Sequence, residues 1–254
     1  MNLERERKKV LRMNTDITSL DKVMSGVLQL REMGQGGYVC LSNVHMCMEV
    51  FDDPRFEEVV NGADFVLPDG LPIAWAQRLL GMPDSSQVRG QDLMNSVCAA
   101  SAQKGLRIGL YGGANIDVLN KVVAVLERQF PGINISYTYC PPFRPLSDEE
   151  DAQVVADINK AQVDMLFVGI GCPKQERWMA AHKGQINSVM YGVGAAFDFI
   201  SGSKRHAPRW MQKVGLEWFF RLCSEPSRLW KRYLEQNPRF VFYFLRQWIL
   251  RTKF

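Results

Sequence analysis

The feature that most constrains this chain is a regular alternation of short, nearly unbroken apolar runs with longer segments of helical periodicity. The apolar runs are residues 37–41 (GYVCL), 63–67 (ADFVL), 106–111 (LRIGLY), 133–139 (INISYTY), 163–168 (VDMLFV) and a last one opening at 188–191 (SVMY). Between them, helical patterns occupy residues 43–50, 72–80, 91–103, 115–129, 148–161 and 174–182. Strands that alternate with helices of this length form βαβ units around a parallel sheet. Runs without polar alternation belong to strands covered on both faces. The expected fold is therefore α/β, a Rossmann-like, mostly parallel sheet with helices on both faces. Hydrophobic residues make up 46% of the 254, enough for a core of that size.

In open sheets of this kind ligands bind beyond the carboxyl ends of the strands. That rule selects Ser42-Asn43, Pro68-Asp69-Gly70, Gly112-Gly113, residues 169–176 and residues 192–198. Gly112-Gly113 stands between a strand and a helix. The pair is either a phosphate-binding turn, with close backbone approach and helix N–H groups aimed at an anion, or an ordinary tight turn. A second junction, Gly169-Ile170-Gly171-Cys172-Pro173, carries Lys174, Gln175 and Glu176 directly behind it. Pro173 suits a helix start. Lys174 offers a cation to phosphate, Gln175 a hydrogen bond to hydroxyl or phosphate, and Glu176 an acceptor for sugar hydroxyls. Asp69, after a strand and a proline, stands where a general base would; read locally, it is equally a turn or N-cap aspartate. The acidic cluster at residues 148–151 reads as a solvated helix face.

Other chemistries lack their signatures. There is no Asp-x-Asp metal clamp, no GxGxxG, no GxSxG and no P-loop. The six cysteines show no CxxC pair and read as reduced, mostly buried thiols. No metal and no cofactor is expected. The charged N-terminus does not resemble a secretory signal, and no apolar stretch is long enough to span a bilayer.

Charge is distributed unevenly. From residue 204 to 254 there are twelve Lys/Arg and three Glu, a net of +9; the remaining 19 basic and 24 acidic residues leave 1–203 at −5. The expected organisation is a catalytic unit at 1–203 and a basic, aromatic-rich appendage at 204–254. Arg221, Arg228 and Lys231 form one stripe only if a helix continues through Pro226. Arg239, Arg246 and Lys253 recur every seven residues among Phe240, Phe242, Phe244, Trp248 and Ile249. This pattern fits a helix lying in a membrane surface. A helix packed on the body or on a partner subunit is the alternative, so a homo-oligomer stays open. The tail is too apolar for a nucleic-acid-tracking helix.

Taken in order, these blocks resemble a known family. Gly169-Ile170-Gly171-Cys172-Pro173-Lys174-Gln175-Glu176-Arg177-Trp178 is similar to the GxGxPKQExW signature of the WecG/TagA/CpsF glycosyltransferases (glycosyltransferase family 26). The stretch at 63–70 (ADFVLPDG), Tyr111-Gly112-Gly113, the stretch at 192–198 (GVGAAFD), Lys204-Arg205-His206-Ala207-Pro208 and Gly215-Leu216-Glu217-Trp218 resemble its other blocks. The resemblance implies an inverting glycosyltransferase using a UDP-sugar donor and a sugar on a polyprenyl diphosphate as acceptor. It implies a peripheral enzyme on the cytoplasmic face of the bacterial inner membrane, serving cell-surface polysaccharide synthesis. By the same resemblance Asp69 is the general base. The resemblance also places Gln175 near the donor and Arg221, Arg228 and Lys231 at the lipid diphosphate; with the post-strand positions Ser42, Asn43, Gly112, Gly113, Gly171, Pro173, Lys174, Glu176 and Asp198, Gln175 makes up the expected donor site. His45, an addition to the family's first block, either reads the donor sugar or is a helix-surface histidine. The donor sugar is open among N-acetylmannosamine, glucose and other hexoses. Two rival readings are a membrane-tethered, non-catalytic nucleotide-sugar binder and a dinucleotide-dependent oxidoreductase or epimerase.

Overall fold

The computed structural model describes residues 5–252 and 254. Its centre is a six-stranded sheet, every neighbouring pair parallel. The strands are β3 (Gly37–Ser42), β4 (Phe65–Pro68), β5 (Arg107–Gly112), β6 (Asn134–Tyr139), β7 (Met165–Gly169) and β8 (Val189–Gly192), in the spatial order β4-β3-β8-β7-β5-β6. All six coincide with the apolar runs to within two residues.

Two buried clusters, one on each face, account for that apolarity. Helices α2 (Val44–Asp52), α3 (Pro54–Asn61), α7 (Asp148–Lys160) and α8 (Lys174–Ala181) cover one face. The other is covered by α1 (Leu20–Glu32), α5 (Gly90–Lys104), α6 (Ile116–Gln129) and α9 (Ala196–Ile200), with α4 (Leu71–Leu79) following β4 on the first side. Adjacent strands β5 and β7 lead into helices on opposite faces, α6 and α8. Their carboxyl ends therefore part around a crevice, the place where doubly wound sheets bind ligands.

An N-terminal hairpin, β1 (Arg7–Val10) and β2 (Met13–Asp16), was not legible in the sequence because lysines and arginines mask its alternation. It shields the sheet edge. Asp16 Oδ2 accepts from the Val66 N–H of edge strand β4 at 2.6 Å, and Arg7 donates to Asp16 and to the Ala63 carbonyl. An edge strand whose N–H is consumed in this way cannot template another chain.

The C-terminal region forms α10 (Arg209–Lys213), α11 (Glu217–Ser224) and α12 (Pro226–Leu250). Pro226 starts α12, so the helix does break there and Arg221 lies on a different helix from Arg228 and Lys231. Phe240 and Phe244 of α12 are buried against the body, each contributing about 1.5–3 kcal/mol. Arg239 pairs with Asp52 at 2.6 Å, and Gln247 accepts from the Leu11 N–H and donates to the Lys9 carbonyl. The opposite face exposes Leu234, Val241, Phe242, Leu245, Trp248 and Ile249. One face of α12 is thus packed on the body, as the second alternative for the tail expects, and the other is open. Lys253, the last member of the basic stripe, lies outside the described residues. Among the described residues no helix is long and apolar enough to cross a membrane.

All six cysteines are free. Cys40, Cys47 and Cys98 are buried, Cys140 and Cys172 half-buried and Cys223 exposed, so burial is less general than expected.

Candidate active site

A cleft of about 1370 Å³ opens at the carboxyl ends of the strands and runs beneath α10–α12. Asn43, His45, Asp69, Gly113, Gly171, Lys174, Gln175, Asp198, Arg221 and Arg228 line it. Ser42, Gly112, Pro173, Glu176 and Lys231 do not, and each has a physical reason.

Asp69 is carried by the turn after β4. Its Oδ1 accepts from the Gly90 N–H at 2.8 Å, its carbonyl accepts from Gln87, and Gly70 N–H binds the Ser42 carbonyl. A Cβ at Gly90 would lie 2.7 Å from Leu41 Cδ1, so only glycine brings that N–H to the carboxylate without displacing Leu41. The carboxyl opens to the cleft but is otherwise enclosed by protein. Burial pushes its pKa up to about 6; the Gly90 bond opposes this, Glu217 adds to it, and Arg221 and Arg89 oppose it. Asp69 is therefore a moderately basic carboxylate, ionised at neutral pH; it does not cap α4, and its Oδ1 meets the first N–H of α5.

The facing wall is made of glycine turns. Gly112 adopts φ 132°, and a Cβ there would sit 2.5 Å from the Gly169 oxygen. Gly112 thus lets β5 and β7 meet behind the lining, while Gly113 and Gly171 line the cleft itself. Helix α6 is capped by Asn115, whose Oδ1 accepts from Val118 N–H at 2.9 Å. Gln175 bridges two turns: its Oε1 accepts from Gly171 N–H at 3.2 Å and from Gly194 N–H at 3.1 Å. Its Nε2 donates to Glu176 Oε1 at 2.7 Å. Glu176 is fully buried, contrary to its expected place on the donor. It shares the inward face of α8 with Met179, three residues on, so the helix turns it into the core. Burial lifts its pKa to about 7, against the Gln175 bond, and Oε2 has no partner. Pro173 stands just before α8 and shapes the turn without lining the cleft. Lys174 is exposed at the rim, and Asp198 is paired with Lys204 at 2.6 Å.

At the first strand the expectation divides. Ser42 is fully buried and donates to the Leu67 carbonyl at 2.8 Å, tying β3 to β4 rather than meeting a ligand. Asn43 lines the cleft and caps α2 through Met46 N–H, worth about 1 kcal/mol. His45 is neither free on a helix surface nor free to read a sugar with both nitrogens. Its Nδ1 lies 2.8 Å from Gln236 Oε1 of α12, and Gln236 in turn donates to Glu49. Burial and the nearby Arg232 lower its pKa to about 4, so it is neutral at physiological pH.

The appendage supplies the cations. Arg221 from α11 and Arg228 from α12 both reach the cleft, although the stripe that grouped them is broken at Pro226. Lys231 points out and is exposed; Arg232, one turn after Arg228, takes the cleft position instead. The Nε atoms of Arg221 and Arg232 are both buried without a partner. Sequence reasoning also missed Arg89, which hydrogen-bonds Gln212, and the 141–146 loop, whose Phe143 is almost wholly exposed at the cleft rim. No regular pattern marks either one. Asp151 is not part of a solvated face: it accepts from Trp178 Nε1 and lies 2.7 Å from His182 Nε2, locking the Trp178 ring against Tyr111.

A doubly wound sheet with a basic carboxylate on one wall of its mouth and anion-friendly turns and arginines around it is the framework of a group-transfer enzyme. The sequence profile of the glycosyl transferase WecG/TagA/CpsF family matches residues 8–254, and the chain belongs to that family; it is a glycosyltransferase. It is similar to the N-acetylglucosaminyldiphosphoundecaprenol N-acetyl-beta-D-mannosaminyltransferase of Bacillus spizizenii, 33% identical over 83% of this chain and 79% of that one. The Bacillus subtilis strain 168 protein of the same name is 32% identical over 78% and 75%. The Staphylococcus aureus strain MW2 protein of that name is 30% identical over 73% and 70%.

Proposed function

We propose that this enzyme transfers a hexose or N-acetylhexosamine from a UDP-sugar to a sugar carried on a polyprenyl diphosphate, with inversion and without a metal. The reading rests above all on Asp69, a carboxylate tuned to about 6 and placed across the cleft from the glycine turns. Asp69 removes the proton of the acceptor hydroxyl; the freed oxygen attacks the anomeric carbon; the bond to UDP breaks on the opposite side. One base and a direct attack give inversion. Charge on the departing diphosphate is met by Lys174 and the helix start behind Gly171, and the acceptor's diphosphate by Arg221, Arg228 and Arg232. The names of the relatives support N-acetylmannosamine as donor sugar and N-acetylglucosamine as the acceptor's sugar. His45, held by Gln236 beside Asn43, keeps glucose and other hexoses in the panel to be tested.

The open face of α12, with Trp248, Phe242 and Ile249 exposed beside Arg246, supports a peripheral enzyme resting on the anionic cytoplasmic leaflet. There the lipid acceptor is searched in two dimensions by the catalytic unit at 1–203, with 204–254 as the membrane-facing part.

The test is UDP release by purified protein with detergent-solubilised polyprenyl-diphosphate-sugar, across UDP-sugars, with EDTA, for wild type and Asp69→Asn. EDTA-resistant release from one donor, reduced about 10²–10⁴-fold in the variant, is the expected result. UDP binding without release from any donor or acceptor supports the non-catalytic reading instead.

A further inference from the structure

A second groove, about 540 Å³, lies on the outer side of α12. Its spine is Leu234, Pro238, Val241 and Leu245, spaced i, i+4, i+7 and i+11 along one helical face, with Phe242 at its rim. The walls are almost entirely carbon. At one end Trp218 of α11 and Tyr233 meet edge to face at 5.8 Å. Those two residues, with Asn237 and Val241, line both this groove and the main cleft. The groove and the active-site cleft therefore adjoin at these four residues. On the cleft side of that threshold stand Arg221, Arg228 and Arg232, two of them with an unpartnered buried Nε.

A cationic chamber that borders an apolar groove suits a diphosphate head joined to a long hydrocarbon. From the acceptor chemistry proposed above, we infer that this groove is the track of the acceptor's isoprenoid chain, which leaves the cleft over the Trp218–Tyr233 pair and runs along α12. The track from Leu234 to Leu245 is roughly 16 Å long at 1.5 Å per residue, enough for the first few isoprenoid units. Pro238 at its middle presents its ring carbons to the groove. A bulk phospholipid fits the same surface less well, because its head group would remain outside the arginine chamber while only its acyl chains used the groove.

Filling the groove tests this without removing apolar surface. Leu245→Trp and, as a second variant, Leu234→Trp, both at residues that line the groove and not the main cleft, add volume to the spine while keeping the face apolar for membrane contact. Binding of undecaprenyl diphosphate and of dimethylallyl diphosphate is measured by calorimetry in detergent micelles, alongside co-sedimentation with anionic vesicles. The expected result is at least a tenfold loss of affinity for the long-chain diphosphate, a change within twofold for the short one, and unchanged vesicle binding. Equal losses on both diphosphates, no loss on either, or a loss of vesicle binding alone would each overturn the assignment. Turnover of the sugar-bearing acceptor by wild type, run in parallel, reports separately on the transferase reading.

Discussion

Replacing Asp69 with asparagine is expected to slow turnover about 10²–10⁴-fold and to stabilise the fold, and the two effects have the same origin. In the folded chain this carboxyl ionises near 6 instead of 3.8 because enclosure by protein penalises the charge more than the Gly90 N–H and neighbouring arginines relieve it. Between those two pH values the folded state holds more protons than the unfolded state. Stability therefore falls as pH rises through this window, and above pH 6 the ionised carboxylate costs about 2–3 kcal/mol. Asparagine keeps the oxygen that accepts from Gly90 but carries no charge. At pH 7.5 Asp69→Asn should melt roughly 5–10 °C above wild type, a gap that closes toward pH 4. The same titration predicts that wild-type kcat/KM rises about tenfold per pH unit below 6 and levels off above it. Calorimetry at both pH values and a pH–rate profile are the assays. An asparagine variant that is less stable than wild type at pH 7.5, or equally displaced at both pH values, would refute the reasoning.

Gly112→Ala should destabilise the protein by several kcal/mol in urea unfolding, since its Cβ would sit 2.5 Å from the Gly169 oxygen at a φ of 132°. Glu176→Gln should raise KM for the nucleotide sugar more than it lowers kcat, because the carboxylate that orients the Gln175 bridge between Gly171 and Gly194 is lost. Burial raises Glu176 from 4.5 to about 7, so the charge it carries costs stability above pH 7, and the variant should be more stable than wild type at pH 8 and nearly equal at pH 4.5. NMR titration of His45 should find a neutral ring down to about pH 4; because its folded pKa lies below 6.5, its contribution to stability is lost as pH falls from 6.5 toward 4. Arg232→Gln should weaken binding of the lipid diphosphate about tenfold, whereas Lys231→Gln should change it less than twofold, as calorimetry with the diphosphate would show.

The strands were legible because burial on both faces leaves a local mark, an apolar run, that needs no knowledge of partners. The post-strand positions followed from the same pattern, since parallel topology sends every carboxyl end to one mouth; that is how Asp69, Gly113, Gly171 and Asn43 were found. Other features depend on which groups meet across the chain. Ser42 and Glu176 carry polar side chains at site positions, yet β3 and α8 turn them inward to the Leu67 carbonyl and the Gln175 amide. The N-terminal hairpin is defined by Asp16 reaching Val66, a bond across 50 residues.

The appendage marks the boundary most sharply. Its charge and its aromatic content were plain from residue types, and proline geometry made a helix through Pro226 conditional, because composition and proline geometry act locally. Which cations face the substrate was not, since α12 begins at Pro226 with its own phase. That phase, set by Phe240 and Phe244 docking on the body, turns Arg232 inward and Lys231 outward. A helix's register against a distant surface is decided by side-chain packing between segments far apart in the chain, and only the tertiary structure supplies it.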